Sequence, residues 1–535
     1  MPRTVEQFGR PASPGIAGGP LVRLDRNAVV RQPTGDPARE RSDLAAAIGA
    51  AIESIRGLVA RTQGEDAAAI LEFQVVMLED EALIEPAFER IAAGMDAATA
   101  WAEAVGLQIA EYESGGDDYF RARAADLRDL RDEVHRHLTG EAQLAVPNGA
   151  VLAGADVTPS RFLSVDWSHG GAIALSDGSP SSHVAMLARS RGVPMVVGLG
   201  QFDSDGHTTA IVDGDAGRLL LSPAAADWSA YEAARGEQAS QAAADRTASA
   251  GPALTRDGVR VSVMINIAEP QELDGLDPGI CDGIGLVRTE LLFERSGGLA
   301  DEESQYRAYR KIVEWAGGRP VVLRTLDAGG DKPIAGLTIA GESNPFLGTR
   351  GIRLSLARLD VFRAQLRAMA RAAAHGAVKI MLPMVTVPGE IDAAVTVLDD
   401  VVADLAARGI PHARPPLGIM VEVPAVAIVP HLFARAAFFS IGSNDLTQYV
   451  TASARDIAAV AALNDAGHPA VLSLIGQVVV AGARLGIDVG LCGDMGGDPR
   501  HLPGLIGAGL RSLSVPPSLV GRTKRTIASL SAEAG

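Results

Sequence analysis

The sequence is poor in cysteine and in positive charge. Its two cysteines, Cys281 and Cys492, lie far apart in the chain, so a disulfide framework is not expected and the predicted location is a reducing cytoplasm. Lys and Arg number 48 against 65 Asp and Glu, which gives a formal net charge of −17. This charge argues against binding to nucleic acid or anionic lipid unless a local basic pocket meets the ligand.

Long uncharged stretches are also lacking. The longest segment without Asp, Glu, Lys or Arg, Ala466 to Ala483, contains histidine, proline, serine and glutamine, so no segment is typical of a membrane span. The N-terminus carries Arg3 and Glu6 and has no apolar signal core. We therefore expect neither a membrane segment nor a secretion signal.

The length and composition of the chain are those of a folded protein with several domains. A chain of 535 residues exceeds what one hydrophobic core usually supports, and roughly three to four domains are expected. Apolar residues make up 47% and charged residues 21% of the chain, which excludes a wholly disordered or fibrous protein.

The segment from Asp36 to about Gly140 has a helical pattern. Apolar residues recur at helical spacing, for example at Leu44, Ile48 and Ile52. The pattern predicts a helical bundle, and none of its titratable residues has ligand or nucleophile spacing. Two roles stay open for its surfaces, simple packing and the docking of a partner.

A small α/β domain is predicted between Asn148 and Pro223. Short β-rich runs at 150–153, 172–175, 195–197 and 210–212 are separated by Gly and Asp turns, and one helical pattern begins near Ser182. The following segment, 224–250, is rich in Ala, Gln, Glu and Arg and closes at Gly251. We predict a linker helix there, about which the flanking domains move.

The rest of the chain predicts a (β/α)₈ barrel, because eight candidate strands occur in roughly 280 residues with helical patterns between several of them. The candidate strands are 259–267, 283–289, 320–326, 346–352, 378–385, 417–423, 438–443 and 488–492. Chemistry in such barrels takes place at the carboxyl ends of the strands.

Polar side chains stand at those predicted strand ends. They are Arg288, Arg324, Arg350, Glu422, Asn444 with Asp445, and Cys492. Arginines that converge on one mouth form a polyanion site, since guanidinium groups bind carboxylate and phosphate oxygens in pairs, and Lys332 and Arg455 would add to it. The competing interpretation is an internal network of arginines and carboxylates that only stabilises the barrel mouth.

Glu422 and Asp445 follow neighbouring predicted strands. Two such carboxylates suit a hard divalent cation, and Mg²⁺ usually takes one or two protein carboxylates and fills its other positions with water and substrate oxygens. This indicates a small substrate that carries phosphate and carboxylate groups.

Cys492 lies at the same predicted mouth, beside Gly493 and Asp494. A lone cysteine is most often a small buried hydrophobe, but at this place it is also suited to donate a proton or to act as a nucleophile. Cys281 precedes its strand, and we interpret it as structural.

His183 is the second candidate for chemistry. It follows the loop 177–182 and begins a helical pattern, where free backbone N–H groups and the helix dipole would stabilise a phosphate on the imidazole. An isolated histidine in this position more commonly bonds only to its own loop, but a phosphohistidine becomes the better hypothesis beside a barrel able to supply the phosphoryl group.

These motifs together resemble enzyme I of the bacterial phosphotransferase system, the family of phosphoenolpyruvate-protein phosphotransferases. The segments LRTLDAGGDK (323–332), NPFLGTRGIR (344–353) and SIGSNDLTQY (440–449) occur in the family's order, and VMLEDEAL (76–83) is typical of its helical domain. The resemblance covers nearly the whole chain.

The resemblance implies a multidomain α/β fold. Residues 1–24 and 145–223 would form a discontinuous phosphohistidine domain, interrupted at 25–144 by an all-α domain that binds the phosphocarrier protein HPr. A linker helix, 224–252, would lead to a phosphoenolpyruvate-binding (β/α)₈ barrel, 253–535, through which the protein forms a homodimer. The N-terminal strand that packs in the phosphohistidine domain corresponds to Pro14–Leu24.

The resemblance also assigns the site residues. His183 would be the phosphoacceptor and Cys492 the proton donor, while Glu422 and Asp445 would bind Mg²⁺. The residues implied to bind or line the site for phosphoenolpyruvate are Arg288, Arg324, Lys332, Arg350, Asn444, Asp445 and Arg455. The family's usual loop of two glycines and a threonine is replaced here by Gly178-Ser179-Pro180-Ser181-Ser182.

The implied reaction is transfer of the phosphoryl group from phosphoenolpyruvate to His183, with release of pyruvate, followed by transfer to a histidine of HPr, the first step of sugar uptake. A pyruvate-phosphate dikinase or phosphoenolpyruvate synthase would need an ATP-binding domain, and no glycine-rich nucleotide loop precedes the histidine domain here. The alternative from a different class is a non-catalytic regulatory or scaffold paralogue that binds phosphoenolpyruvate or HPr.

Overall fold

The computed structural model describes residues 3–24, 31–62, 65–114, 118–141, 145–180, 182–295, 301–330, 334, 336–339, 341–454, 457 and 459–532. The chain folds as two units, Met1–Gln238 and Ala239–Gly535. No helix in the described ranges combines the length and the apolar character needed to span a bilayer.

The first unit contains a mixed eight-stranded sheet and a helical bundle. Its strands are β1 (Val5–Phe8), β2 (Arg10–Ser13), β3 (Ile16–Arg23), β4 (Val151–Gly154), β5 (Ala172–Leu175), β6 (Met195–Val197), β7 (Thr209–Asp213) and β8 (Arg218–Leu221). Its helices are α1 (Pro37–Val59), α2 (Glu65–Glu79), α3 (Glu81–Ala92), α4 (Ala97–Ser114), α5 (Asp118–Thr139), α6 (Pro159–Leu163) and α7 (His183–Arg191).

The sheet of this unit has the order β1-β8-β7-β3-β4-β5-β6-β2. The strand expected within Pro14–Leu24 is present as β3, which pairs in parallel with β4 and antiparallel with β7. The predicted helical bundle is confirmed as α1 to α5, and it shares a hydrophobic core with one face of the sheet. The division into domains with separate roles stays a prediction.

The predicted linker helix is present as α8 (Ala225–Ser249). Near its start, Tyr231 packs against Ile211 and Leu220 of the first unit. Near its end, Arg525 donates to Asp245 at 2.7 Å within the second unit. Each end of α8 is thus attached to its own unit.

The second unit is a closed barrel. Its strands are β9 (Ala253–Leu254), β10 (Arg260–Ile267), β11 (Ile284–Val287), β12 (Val321–Arg324), β13 (Val378–Leu382), β14 (Leu417–Val421), β15 (Phe438–Ile441), β16 (Asp488–Leu491) and β17 (Ser512–Val515). Its helices are α9 (Glu290–Arg295), α10 (Glu302–Ala316), α11 (Ile352–Ala357), α12 (Leu359–Ala372), α13 (Pro388–Ala407), α14 (Pro424–Ile428), α15 (Ser443–Thr451), α16 (Pro469–Leu485), α17 (Leu502–Gly507) and α18 (Val520–Ser529).

Strands β10 to β17 are parallel to their neighbours, and β17 pairs with β10 to close the barrel. The predicted (β/α)₈ architecture is confirmed. Apolar side chains of the strands and of the surrounding helices form its main core. The carboxyl ends of the eight strands therefore meet at one mouth.

One predicted strand is wrong. Residues 346–352 form a 3₁₀ turn, Pro345–Leu347, and then enter α11. Gly351 has a φ of +58° and a Cβ there would lie 2.8 Å from that of Met384, so this stretch is a close-packed loop rather than a strand. The eighth strand is instead β17, which the sequence analysis missed because Ser512 and Ser514 interrupt its apolar run.

Candidate active site

The barrel mouth brings most of the predicted site residues together. Arg324 is the last residue of β12, Glu422 follows β14, and Cys492 follows β16. Asn444 and Asp445 lie in the first turn of α15, directly after β15. Arg350 was expected at the end of a strand, but it instead enters the same mouth from the loop before α11.

Arg324 is a buried cation held by two acids. Its Nη2 donates to Glu290 Oε1 at 3.0 Å, and its Nη1 lies 3.2 Å from Asp327 Oδ2. Burial opposes the charge, but the carboxylates of Glu290 and Asp327 raise the pKa of Arg324 above its ordinary value. Its Nε is buried and has no hydrogen-bond partner among the described residues. The guanidinium is therefore fixed in place and keeps donor capacity.

Arg350 forms a second ion pair beside the first. Its Nη2 lies 3.0 Å from Asp327 Oδ2 and 3.4 Å from Asp445 Oδ2, and its Nη1 donates to the Tyr449 hydroxyl at 3.4 Å. The side chain of Arg350 is 1% exposed. In the structure this arginine supports the acids of the mouth, and its predicted contact with substrate stays a prediction.

Removing Arg350 should strongly destabilise the barrel. Arg350→Met leaves Asp327 and Asp445 buried with one cation fewer, and breaking a buried pair on one side costs about 3–5 kcal/mol. Thermal or urea denaturation measures the free energy of unfolding of each variant. The matched control is Arg358→Met, because Arg358 pairs with exposed Asp360 at 2.9 Å and its loss should cost at most about 1 kcal/mol. Equal losses for the two variants would contradict this account.

Glu422 and Asp445 form a crowded pair of carboxylates. Glu422 is 1% exposed and its Oε1 accepts from the Met384 N–H at 2.7 Å. Burial, together with repulsion from Asp445 and Asp327, raises the pKa of Glu422 to about 8. Asp445 Oδ1 is buried and has no hydrogen-bond partner in the described ranges. Repelling carboxylates with an unsatisfied oxygen fit a divalent cation.

A full protein cage for a cation is not found. The described residues contain no group of three or more His, Cys, Asp or Glu side chains placed to hold a metal ion. Two carboxylates are what Mg²⁺ usually takes from a protein when substrate oxygens and water supply the remaining ligands. The donor set is thus compatible with Mg²⁺ shared with a substrate.

Cys492 is a buried thiol in the barrel lumen. Its Sγ accepts a hydrogen bond from the Ser440 hydroxyl at 3.3 Å and lies 3.7 Å from the Ile441 carbonyl oxygen. Burial raises the pKa of Cys492 to about 11, although the Ser440 hydroxyl and the charge of Arg324 act in the opposite direction. At neutral pH the group is therefore a thiol with a proton to give, rather than a thiolate nucleophile.

Asn444 and Arg288 complete the described mouth. Asn444 Nδ2 donates to Asp494 Oδ2 at 2.9 Å, and Asn444 Oδ1 accepts from the Asp494 N–H at 3.0 Å, so the two side chains fix each other. Arg288 directly follows β11 and is exposed. The other two predicted cations, Lys332 and Arg455, lie outside the described residues.

Several residues of the mouth were missed by the sequence analysis. Glu290 and Asp327 hold Arg324, Asp327 also holds Arg350, and Ser440 bonds to Cys492. Asp327 lies inside the motif LRTLDAGGDK, and an acid within three residues of a strand-end arginine is the signal that would have found it. The same signal would have found Glu290, which lies two residues after Arg288, whereas nothing local in the sequence marks Ser440.

His183 lies in the first unit as the first residue of α7, as predicted. The Ser182 hydroxyl caps this helix by accepting from the Ala185 N–H at 3.2 Å. The His183 side chain is half-buried. The positive end of the helix dipole favours an anion at this point.

The loop before His183 is tied to the N-terminal strands. Arg10 donates to the Gly178 carbonyl at 2.9 Å, and Arg189 donates to the carbonyls of Pro180 and Ala12 at 2.8 and 2.7 Å. Gly178 has a φ of +89°, which a side chain would strain. These bonds hold the loop that presents the imidazole.

Comparison with known proteins gives matches along almost the whole chain. Residues 242–532 match the family model described as PEP-utilising enzyme, PEP-binding domain. Residues 8–123 match PEP-utilising enzyme, N-terminal, and residues 146–217 match PEP-utilising enzyme, mobile domain.

Individual relatives agree with these models. The chain is 36% identical to a phosphoenolpyruvate-protein phosphotransferase of Geobacillus stearothermophilus, over 95% of this chain and 90% of that protein. It is 34% identical to one of Staphylococcus aureus, over 96% and 91%. A multiphosphoryl transfer protein of Rhodobacter capsulatus is 36% identical over 96% of this chain and 63% of its own length. The chain belongs to the family of PEP-utilising enzymes, together with the phosphoenolpyruvate-protein phosphotransferases.

Proposed function

We propose that the protein transfers the phosphoryl group of phosphoenolpyruvate to His183, releases pyruvate, and passes the phosphoryl group on to a histidine of HPr. The observation that carries this proposal is the barrel mouth, where a fixed arginine, a repelling carboxylate pair and a protonated thiol lie together. Phosphoryl transfer depends mainly on positioning and charge stabilisation, and this set supplies both.

The substrate would bind through its charges. Arg324 and exposed Arg288 would contact its phosphate and carboxylate oxygens, and Asn444 would orient it, with Lys332 and Arg455 as further contacts. Glu422 and Asp445 would hold Mg²⁺, which when bound supplies positive charge against the oxygens of the substrate. Arg350 would act mainly by holding Asp445 in place.

Loss of the phosphoryl group leaves the enolate of pyruvate, and Cys492 would protonate its terminal carbon. The raised pKa of the Cys492 thiol, about 11, keeps its proton in place until a basic carbon centre forms. Arg324 and Arg288 would stabilise the enolate oxygen meanwhile.

His183 would receive the phosphoryl group on an imidazole nitrogen, Nε2 by family resemblance. The start of α7 would stabilise the phosphohistidine by hydrogen bonds and dipole. Transfer requires His183 to reach the barrel mouth and afterwards the carrier, and we propose that movement about α8 allows both.

Two protein partners belong to this proposal. HPr would dock on the helical bundle, where Phe73 and Val76 of α2 are 36% and 61% exposed at helical spacing. A second copy of the chain would bind at the barrel, where Ile428 and Leu432 are exposed by 59% and 54%. The cytoplasm stays the predicted location, since both cysteines are free thiols.

A non-catalytic scaffold, the alternative, has no observation in its favour. A protein that only binds phosphoenolpyruvate or HPr has no use for a buried, protonated Cys492 at the mouth or for a histidine at the first turn of α7.

Incubation with phosphoenolpyruvate, Mg²⁺ and purified HPr tests the function. We expect pyruvate and phosphorylated HPr to form in equal amounts, and chelation of Mg²⁺ with EDTA to stop both. Measured binding of phosphoenolpyruvate without any pyruvate or phosphorylated HPr would support the scaffold instead.

A further inference from the structure

The barrel contains a cavity at the end opposite the mouth. Its volume is about 470 Å³ and its lining comes largely from the first residues of the strands. Asp488 at its edge is exposed, and Lys379 and Arg511 are half-buried, so the cavity opens to solvent at the amino-terminal face of the barrel. Nothing in the proposed reaction uses this face.

The inner end of the cavity includes Ser440, the hydrogen-bond partner of Cys492. Ser440 lines the cavity, and its hydroxyl donates to Cys492 Sγ at 3.3 Å. The same side of the lumen is made of small residues, namely Gly490, Ser512 and Ser514, which leave room where larger side chains usually fill a barrel of this size. One side chain therefore separates the cavity from the thiol.

An unsatisfied polar atom lies at this inner end. Ser514 lines the cavity, and its Oγ is buried with no hydrogen-bond partner among the described residues. Behind it, Asn266 Nδ2 donates to the carbonyls of Cys492 and Ser514 at 3.0 and 3.1 Å, which ties the backbone of Ser514 to that of Cys492. Because the cavity opens to solvent, water can enter it and bind to the hydroxyls of Ser440 and Ser514.

We propose that this cavity is a water-filled proton path by which Ser440 returns a proton to Cys492 from the amino-terminal face of the barrel. The need for it rests on the proposed function, because Cys492 loses one proton in every turnover. As the Ser440 O–H bond breaks, an S–H bond forms on the thiolate, and a water molecule gives a proton to the serine oxygen. The hydroxide left behind takes up a proton from hydronium or a buffer acid at the amino-terminal face, so the net proton comes from bulk solution.

A path at this end has a physical advantage over one through the mouth. While pyruvate still occupies the mouth, the Cys492 thiolate can recover its proton from the amino-terminal face of the barrel. Bulk water also stays away from the enolate and from the phosphoryl group, which it would otherwise protonate or hydrolyse.

Hydrogen exchange of the thiol in the resting protein tests the path without any phosphoryl transfer. The S–H stretch of Cys492 is followed by infrared spectroscopy after transfer into D₂O, in a Cys281→Ser background that leaves one thiol. We expect Ser440→Ala to slow the exchange by roughly 10²-fold, the lower end of the range for loss of a positioned proton-transfer group. Ser440→Thr, which keeps the hydroxyl, should restore it.

Two further variants separate the path from general effects on the fold. Ser514→Val replaces an unsatisfied hydroxyl of the cavity by apolar bulk and should also slow the exchange. Ser355→Ala removes a buried hydroxyl from α11, which does not line the cavity, and should leave the rate unchanged. An exchange rate that is the same in Ser440→Ala, Ser514→Val and the parent would overturn the proposal and indicate proton supply through the mouth.

A kinetic measurement adds the functional consequence. In Ser440→Ala the later turnovers with HPr should slow by a larger factor than formation of the first pyruvate per site, which uses the proton already on Cys492. If the first and the later turnovers slow to the same degree, the relay role of Ser440 is contradicted. If the parent protein forms no pyruvate at all, the proposed function fails, while the exchange result still decides whether the path exists.

Discussion

Replacement of His183 by alanine is expected to abolish phosphorylation of the protein by phosphoenolpyruvate. The parent should take up one phosphoryl group per chain, and the label should be acid-labile and base-stable, as a phosphoimidazole is. His183 begins α7 behind the capping Ser182 hydroxyl, and no other histidine was predicted to accept the group. Radiolabelled phosphoenolpyruvate with Mg²⁺, followed by peptide mapping, measures the uptake.

The matched control for this variant is His169→Ala. His169 is an exposed histidine of the same unit and ends a 3₁₀ turn, where its Nε2 lies 3.9 Å from Asp166 Oδ2. Its loss should leave labelling intact. Phosphoenolpyruvate should still bind to His183→Ala, because the binding groups belong to the second unit. Normal labelling of His183→Ala would disprove the acceptor role, and lost binding would count against separate sites for the acceptor and the substrate.

The second large effect is expected from Cys492→Ala, which should slow pyruvate formation by roughly 10²–10⁴-fold, the range for loss of a positioned general acid. Affinity for phosphoenolpyruvate should change much less, since the thiol carries no charge at neutral pH and the arginines and carboxylates remain. Steady-state turnover and equilibrium binding, measured on the same preparation, separate the two quantities.

Cys281→Ala is the control for the loss of a buried thiol. Cys281 is 5% exposed and packs in the main barrel core, away from the lumen residues around Cys492, so turnover should be unchanged. Cys492→Ser should remain slow, because a serine hydroxyl is a much weaker acid than a thiol. An unchanged turnover in Cys492→Ala would remove the proton-donor role.

The sequence predicted the barrel because parallel strands buried on both sides appear as short apolar runs, and seven of the eight were found in this way. It failed at residues 346–352, where the chain forms a 3₁₀ turn with Leu347 exposed and Gly351 then turns it into α11. Strand β17 was missed because its serines face the lumen. A polar lumen does not produce the apolar run that identifies a buried strand.

The candidate site was only partly predicted, because the sequence marks some of its residues and not others. The residues that end strands, such as Arg324, Glu422 and Cys492, are marked by the strand before them. The sequence does not show which residues hold these side chains in place, because the partners come from other parts of the chain. Glu290 of α9 accepts from Arg324, and Ser440 of the neighbouring strand donates to Cys492. Such pairs exist only once the barrel has closed, so only the folded structure identifies them.

The most direct test of the central claim is isotope exchange between labelled pyruvate and phosphoenolpyruvate in the absence of HPr. The exchange needs both the barrel mouth and a phosphorylated group on the protein, so the account predicts Mg²⁺-dependent exchange in the parent and none in His183→Ala. Exchange at the parent rate in His183→Ala would show that the phosphoryl group never resides on this imidazole, and would contradict the account.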